Sequence, residues 1–357
     1  RIKLIMAYTT INKSTDYFDT KTFTGNGTSQ SITNLNFKPS LVWLKDRSTA
    51  YAQSLFDLHR GTNARIRTDS SDSQGTPVPS ALTAFNSDGF TVGGDVGVNQ
   101  NNDNIVGWNW YSADTMGSAN TDGSLDTYAT TANTTAGFSI ISYTGTGSNA
   151  TVGHGLGVVP NVIWVKSLSA GGDWTCYWSV LGSTKFMRLN STIAAGTQST
   201  YWQDTDPTSS VFSIGTAGDV NGSGTTYIAY CFAEKTGYSK FGKYTGNGST
   251  DGAFVYTGFK PAFLMIKRTS GTDQWILYDT KRETGNVMNL ALTPDTNDTE
   301  QDTSSYNTVD IISNGFKCRG GSSGSGTGTN QSGGSYIYMA FAEAPLVGTN
   351  NIPATAR

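Results

Sequence analysis

One pattern occurs three times along the 357 residues, and only a fold that can hold it three times is admissible. The first copy reads Phe23-Thr24-Gly25-Asn26-Gly27, then Phe37-Lys38-Pro39-Ser40-Leu41-Val42-Trp43-Leu44-Lys45. The second reads Tyr143-Thr144-Gly145-Thr146-Gly147, then Val158-Val159-Pro160-Asn161-Val162-Ile163-Trp164-Val165-Lys166. The third reads Tyr244-Thr245-Gly246-Asn247-Gly248, then Phe259-Lys260-Pro261-Ala262-Phe263-Leu264-Met265-Ile266-Lys267. From aromatic to proline is 16, 17 and 17 residues, a spacing that marks internal repetition.

Each part has a physical reading. T-G-x-G is turn chemistry, with glycines supplying positive φ. Proline fixes φ and cannot donate to a ladder, so it is expected to open a strand. The four apolar residues that follow predict a strand buried on both faces, and the Lys marks where that strand emerges into water. Pro39, Pro160 and Pro261 are expected at equivalent strand starts, and Trp43, Trp164 and Met265 at one equivalent buried position.

The copies also end alike. Ile105 to Trp110 aligns with Tyr227 to Phe232 and with Tyr336 to Phe341, and an Asn precedes each by six residues, at Asn99, Asn221 and Asn330. Upstream stand Phe90, Phe212 and Phe316. The third copy carries five extra residues here, in the Gly/Ser loop between Gly320 and Gly334, as expected of a hairpin that tolerates insertion. A middle strand repeats less faithfully. Leu55 to Arg60 matches Leu277 to Arg282, whereas Cys176 to Leu181 loses the charges.

These landmarks predict an all-β protein of three tandem, related β-sandwich modules of jelly-roll-like type. The boundaries are an N-terminal segment 1–15, module 1 over 16–113, a Ser/Thr/Gly linker 114–136, module 2 over 137–235, module 3 over 240–344, and a C-terminal tail 345–357. A three-bladed propeller fits the pattern less well.

Composition narrows the function. Charged residues are 14% and aromatics 11%, which suits short strands and turns and excludes a disordered chain. The net charge of −3 without a basic run argues against nucleic acid. No apolar stretch spans a bilayer, and Arg1 to Ile5 is too short for a signal peptide, so synthesis in a cytoplasm is expected. Met6 looks like a natural start, which leaves residues 1 to 5 as upstream sequence. Cys176, Cys231 and Cys318 lie apart and read as buried free thiols.

The candidate sites are few. With Glu only at 234, 283, 300 and 343, and Asp mostly in turns, no catalytic pair or cofactor site is expected. Asp57-x-His59 would share a strand face, yet Lys281 replaces His59 in the third copy, so a charged strand edge explains it. Asp95, Asn99, Asn101 and Asp103, and more thinly Asp219 with Asn221, offer calcium-type oxygens without a bidentate Glu, and no metal is expected. Trp174, Trp178, Tyr201 and Trp202 form the one candidate glycan contact, weighed against a core or module-interface role.

The T-G-N-G and F-K-P segments, Asp88-Gly89-Phe90, the strand ending at Glu234, the opening from Met6 to Lys13 and the close from Pro345 to Arg357 resemble tail-fibre-like proteins of marine bacteriophages that carry repeated domains of unknown function. That resemblance implies a virion location and supplies no catalytic or binding residue; the leading expectation is a non-catalytic surface protein, a tail fibre or receptor-binding component. Alternatives are a capsid decoration protein and, from another class, a glycan-degrading tailspike-like hydrolase. It also implies a homo-oligomer, with a trimer the commonest form; other virion proteins and a host surface glycan are the expected partners. The extended ends, Thr9 to Thr20 and Val347 to Arg357, are expected to be ordered by such partners.

Overall fold

The alternation of side chains along the three apolar runs decides the architecture. Leu41 and Trp43, Val162 and Trp164, and Phe263 and Met265 enter one common apolar core. The residues between them turn to the opposite side, into three separate cores. Each run is therefore a strand buried on both faces, as its unbroken apolar character predicts.

The computed structural model describes residues 8–304, 308–320 and 328–347. It is all-β, with short helical turns only. The main strands are β1 (Phe18–Thr24), β2 (Leu41–Asp46), β3 (Ser54–Asp57), β4 (Asn104–Trp110), β5 (Phe138–Thr144), β6 (Val162–Ser167), β7 (Thr175–Trp178), β8 (Thr226–Phe232), β9 (Ser239–Thr245), β10 (Phe259–Arg268), β11 (Trp275–Asp279) and β12 (Ser335–Pro345). The antiparallel orders β1-β4-β2-β3, β5-β8-β6-β7 and β9-β12-β10-β11 are the same arrangement three times. Trp43, Trp164 and Met265 pair with Trp108, Tyr230 and Met339 in matching register, and all six are fully buried. Outside each main sheet lies a small one that covers the outer core, and Phe90, Phe212 and Phe316 fill that space.

The turns reveal two uses of glycine. The second glycine of each T-G-x-G has positive φ, at Gly27, Gly147 and Gly248. The first is a close approach instead, since a Cβ on Gly25, Gly145 or Gly246 would strike a backbone carbonyl of the loop opposite. That loop is pinned by the repeated Asn. Asn99 Oδ1 accepts from Asn26 N at 3.0 Å, while its Nδ2 donates to the carbonyls of Thr28 and Gly93. Asn221 bonds Thr146 N, Ser148 O and Gly215 O in the same way, and Asn330 bonds Asn247 N and Ser249 O.

Several expectations need correction. Lys45, Lys166 and Lys267 do not emerge into water. They share the strand face of the buried Trp or Met two residues earlier and are buried themselves. Pro39 and Pro160 precede their strands, but Pro261 lies inside β10 at a register shift, where a missing N–H is tolerated. Ala129–Asn133, within the linker segment 114–136, is a strand paired with β5. Ile11 is buried in the common core and the Tyr8 hydroxyl donates to Gly258 O, so the Thr9 to Thr20 segment packs on its own chain. The tail beyond Val347, the opening Arg1 to Ala7 and much of the Gly320–Gly334 loop lie outside the described residues.

Candidate functional site: repeat junctions and an aromatic cleft

The buried polar groups concentrate where one repeat meets the next, and they run round a closed cycle. At position Gln53, Trp174 and Trp275, each side chain donates to a carbonyl of the preceding repeat: Gln53 to Thr293 at 3.1 Å, Trp174 to Arg67 at 2.7 Å, Trp275 to Arg188 at 2.9 Å. The three lysines repeat the cycle, Lys45 to Asn297 O, Lys166 to Ser71 O and Lys267 to Thr192 O. Backbone bonds do so again, from Gln74 N to Leu168 O, Ala195 N to Thr269 O and Glu300 N to Arg47 O. The first repeat thus meets the third as the second meets the first, and one chain closes the ring. Burial lowers each lysine to about 8, against the pull of nearby carboxylates.

Two buried carboxylates complete the junctions. Asp57 binds Arg60 Nε at 2.5 Å and accepts from the Tyr230 hydroxyl of the second repeat. Asp279 binds Arg282 Nε at 2.5 Å and accepts from Trp108 Nε1 of the first repeat at 3.0 Å. Burial, the largest influence, would raise Asp57; the Arg60 charge, the Tyr230 and Arg60 hydrogen bonds and His59 together outweigh it and leave the carboxyl below its ordinary value. The junction of first and third repeats, which no short linker joins, carries a further cluster. Glu300 bridges Arg47, at 2.9 and 2.7 Å, and Arg282, at 2.7 Å.

The sequence candidates fall into these structural roles. Trp174 and Trp178 lie in the common core, Tyr201 and Trp202 in the outer core of the second repeat, and all four are buried, so the structure neither gathers them nor gives them a stacking face. His59 follows the strand rather than ending it. Its ring nitrogens meet Ser142 and Thr131 hydroxyls at 2.7 Å each, and burial lowers its pKa. Asn99 and Asn221 are consumed by the turn latch, Asp95 by Arg65 and Gly97 N, Asp103 by Thr49 and Asp219 by Tyr201. Among the described residues no group of three or more His, Cys, Asp or Glu is placed to hold a metal ion. The three cysteines are free and buried.

A site that the sequence reading missed lies on the first repeat. A cleft is lined by half-buried Tyr17, Phe85 and Tyr111, with Asp16, Asn36, Lys38 and Asp114 at its rim. Tyr17 and Tyr111 ring centres are 6.4 Å apart, and Phe37 packs 5.8 Å from Tyr111 beneath them. The Asn36 amide is held by Thr15, and the Tyr111 phenol is pushed up by burial and by the adjacent Asp114 carboxylate. The usable signal was a departure from the repeat. Tyr111 aligns with Ala233 and Ala342, and the three share one backbone bond, to Tyr17, Gly137 and Tyr238.

A family model described as "Domain of unknown function (DUF7483)" matches residues 13–345. The chain belongs to this family. The matched span covers all three repeats as one domain, the same extent as the ring. No curated protein and no solved structure matches the chain.

Proposed function

We propose that this chain is a non-catalytic surface protein of a bacteriophage particle, a tail fibre or receptor-binding component built as three related β-sandwich modules of jelly-roll-like type. The observation that carries the reading is how the ionisable groups are used. Asp57, Arg60, Asp279, Arg282 and Glu300 hold repeats together, as do the three buried lysines. Such a scaffold favours binding through its surface over chemistry in a cleft. The resemblance of the repeated motifs to tail-fibre-like proteins supports the particle surface as its place, with other virion proteins as partners. A capsid decoration protein would use the same scaffold. The three-fold arrangement expected of a homotrimer is, in this reading, supplied by one chain, so the partner surfaces are the outer sheets and loops.

The test is immunogold electron microscopy of intact particles with antibody against the purified chain. Gold at the tail tip or fibres is the expected result, and gold over the capsid would favour decoration. Unlabelled particles beside a strongly labelled lysate would overturn the proposal.

A further inference from the structure

A chain that repeats its fold supplies its own control for what the fold requires. Residues common to the copies, such as the latch asparagines, serve the scaffold. A bulky side chain present in one copy and half exposed there is free for another task. Tyr111 is such a residue: Ala233 and Ala342 make the same backbone bond just after the aligned aromatic of each closing strand, and both are buried without an aromatic ring. Phe85 adds to the contrast. It aligns through its pairing with Phe90 to Ile311, which pairs with Phe316, and the second repeat has no strand at this place.

The lining constrains the ligand. Three half-buried aromatic side chains, with the Tyr17 and Tyr111 rings tilted by 41°, favour an apolar ring face of sugar or indole size over a polar one. Around them stand the acceptors Asp16, Asp114 and the side-chain oxygen of Asn36, whose Nδ2 is held by Thr15, and the donor Lys38. A hydrocarbon chain would leave these rim groups unused. An anion would face two carboxylates. A pyranose ring has a C–H face for the tyrosines and an edge of hydroxyls that both donate and accept. We infer that the Tyr17–Phe85–Tyr111 cleft binds a neutral pyranose, as the end group of a surface glycan; this rests on the surface-binding reading above and names its ligand class.

The test is saturation-transfer NMR on the full chain with methyl glucoside, methyl galactoside and the methyl glycoside of N-acetylglucosamine. Transfer to the ring C–H protons of at least one is expected, with affinity falling at least tenfold in Tyr111→Ala. That variant keeps the wild-type melting temperature, because alanine already stands at 233 and 342. Should it fail to fold, Asp114→Asn, at an exposed position, is the second variant and should weaken binding severalfold. Absence of transfer to all three glycosides, or transfer unchanged in the folded variants, overturns the inference. Labelled particles without sugar binding would sink this inference alone. Sugar binding with unlabelled particles would sink the virion reading alone.

Discussion

The Tyr230 hydroxyl donates to Asp57 Oδ2 at 2.6 Å across the junction between the second and first repeats. The equivalent residue of the first repeat, Trp108, donates to Asp279 of the third. At the remaining junction, between the third and second repeats, the donor position holds Met339 and the acceptor position holds Trp178, both in the common core. Donor and acceptor are therefore present together or absent together, as burial demands: a lone carboxylate or hydroxyl there would be unsatisfied.

Tyr230→Phe should accordingly cost about 1.5–3 kcal/mol, the range for a bond to a charged group. Chemical denaturation reads this directly. A change within about 0.5 kcal/mol, the level of an ordinary surface substitution, would argue that the junction is not formed.

Glu300 closes the ring, because it bridges a guanidinium of the first repeat and one of the third. Burial raises its pKa, but Arg47 and Arg282 outweigh this and leave it below its ordinary value. Glu300→Gln should destabilise by about 3 kcal/mol, the cost of breaking a buried ion pair. A depressed carboxyl stabilises above its unfolded pKa, and that contribution is lost as pH falls through the folded value. The gap between wild type and variant should be full at pH 7 and shrink on acidification below about 4.3.

The three buried lysines predict a slope of the same sign, displaced into alkali. Their folded pKa is about 8, below the unfolded value, so the folded chain releases protons first. Stability should rise with pH from about 8, by at most about 1.4 kcal/mol per pH unit for each lysine. The buried thiols are raised and oppose this once unfolded thiols ionise, near pH 8.5–9. Asp295, raised to about 7, acts below the window. Unfolding midpoints at pH 7.5, 8, 8.5 and 9 should show a rise between 8 and 9 that is smaller in Lys166→Met. Identical slopes in both proteins would contradict it.

Asn99→Ala removes the latch of the first turn, leaving the buried carbonyl of Gly93, the carbonyl of Thr28 and the N–H of Asn26 without their side-chain partner. About 2–4 kcal/mol of stability should be lost. Hydrogen exchange of the Gly25–Gly27 turn should accelerate more than that of the strands, a pattern that a general loss of stability would not give.

Much of this protein was legible in its sequence. The apolar runs after Pro39, Pro160 and Pro261 gave strands buried on both faces, and the aligned Trp43, Trp164 and Met265 gave one equivalent position, because strand periodicity and burial are local properties. What the three copies do with one another was not local. Lys45, Lys166 and Lys267 read as strand ends in water because a lysine usually is one. Only the tertiary structure supplies the neighbouring repeat whose carbonyls receive the ammonium. Trp174 and Trp178 read as core or module-interface residues ahead of a glycan contact, and both are buried in the common core. The cleft of Tyr17, Phe85 and Tyr111 joins residues nearly a hundred positions apart, and strand pairing alone decides that they meet.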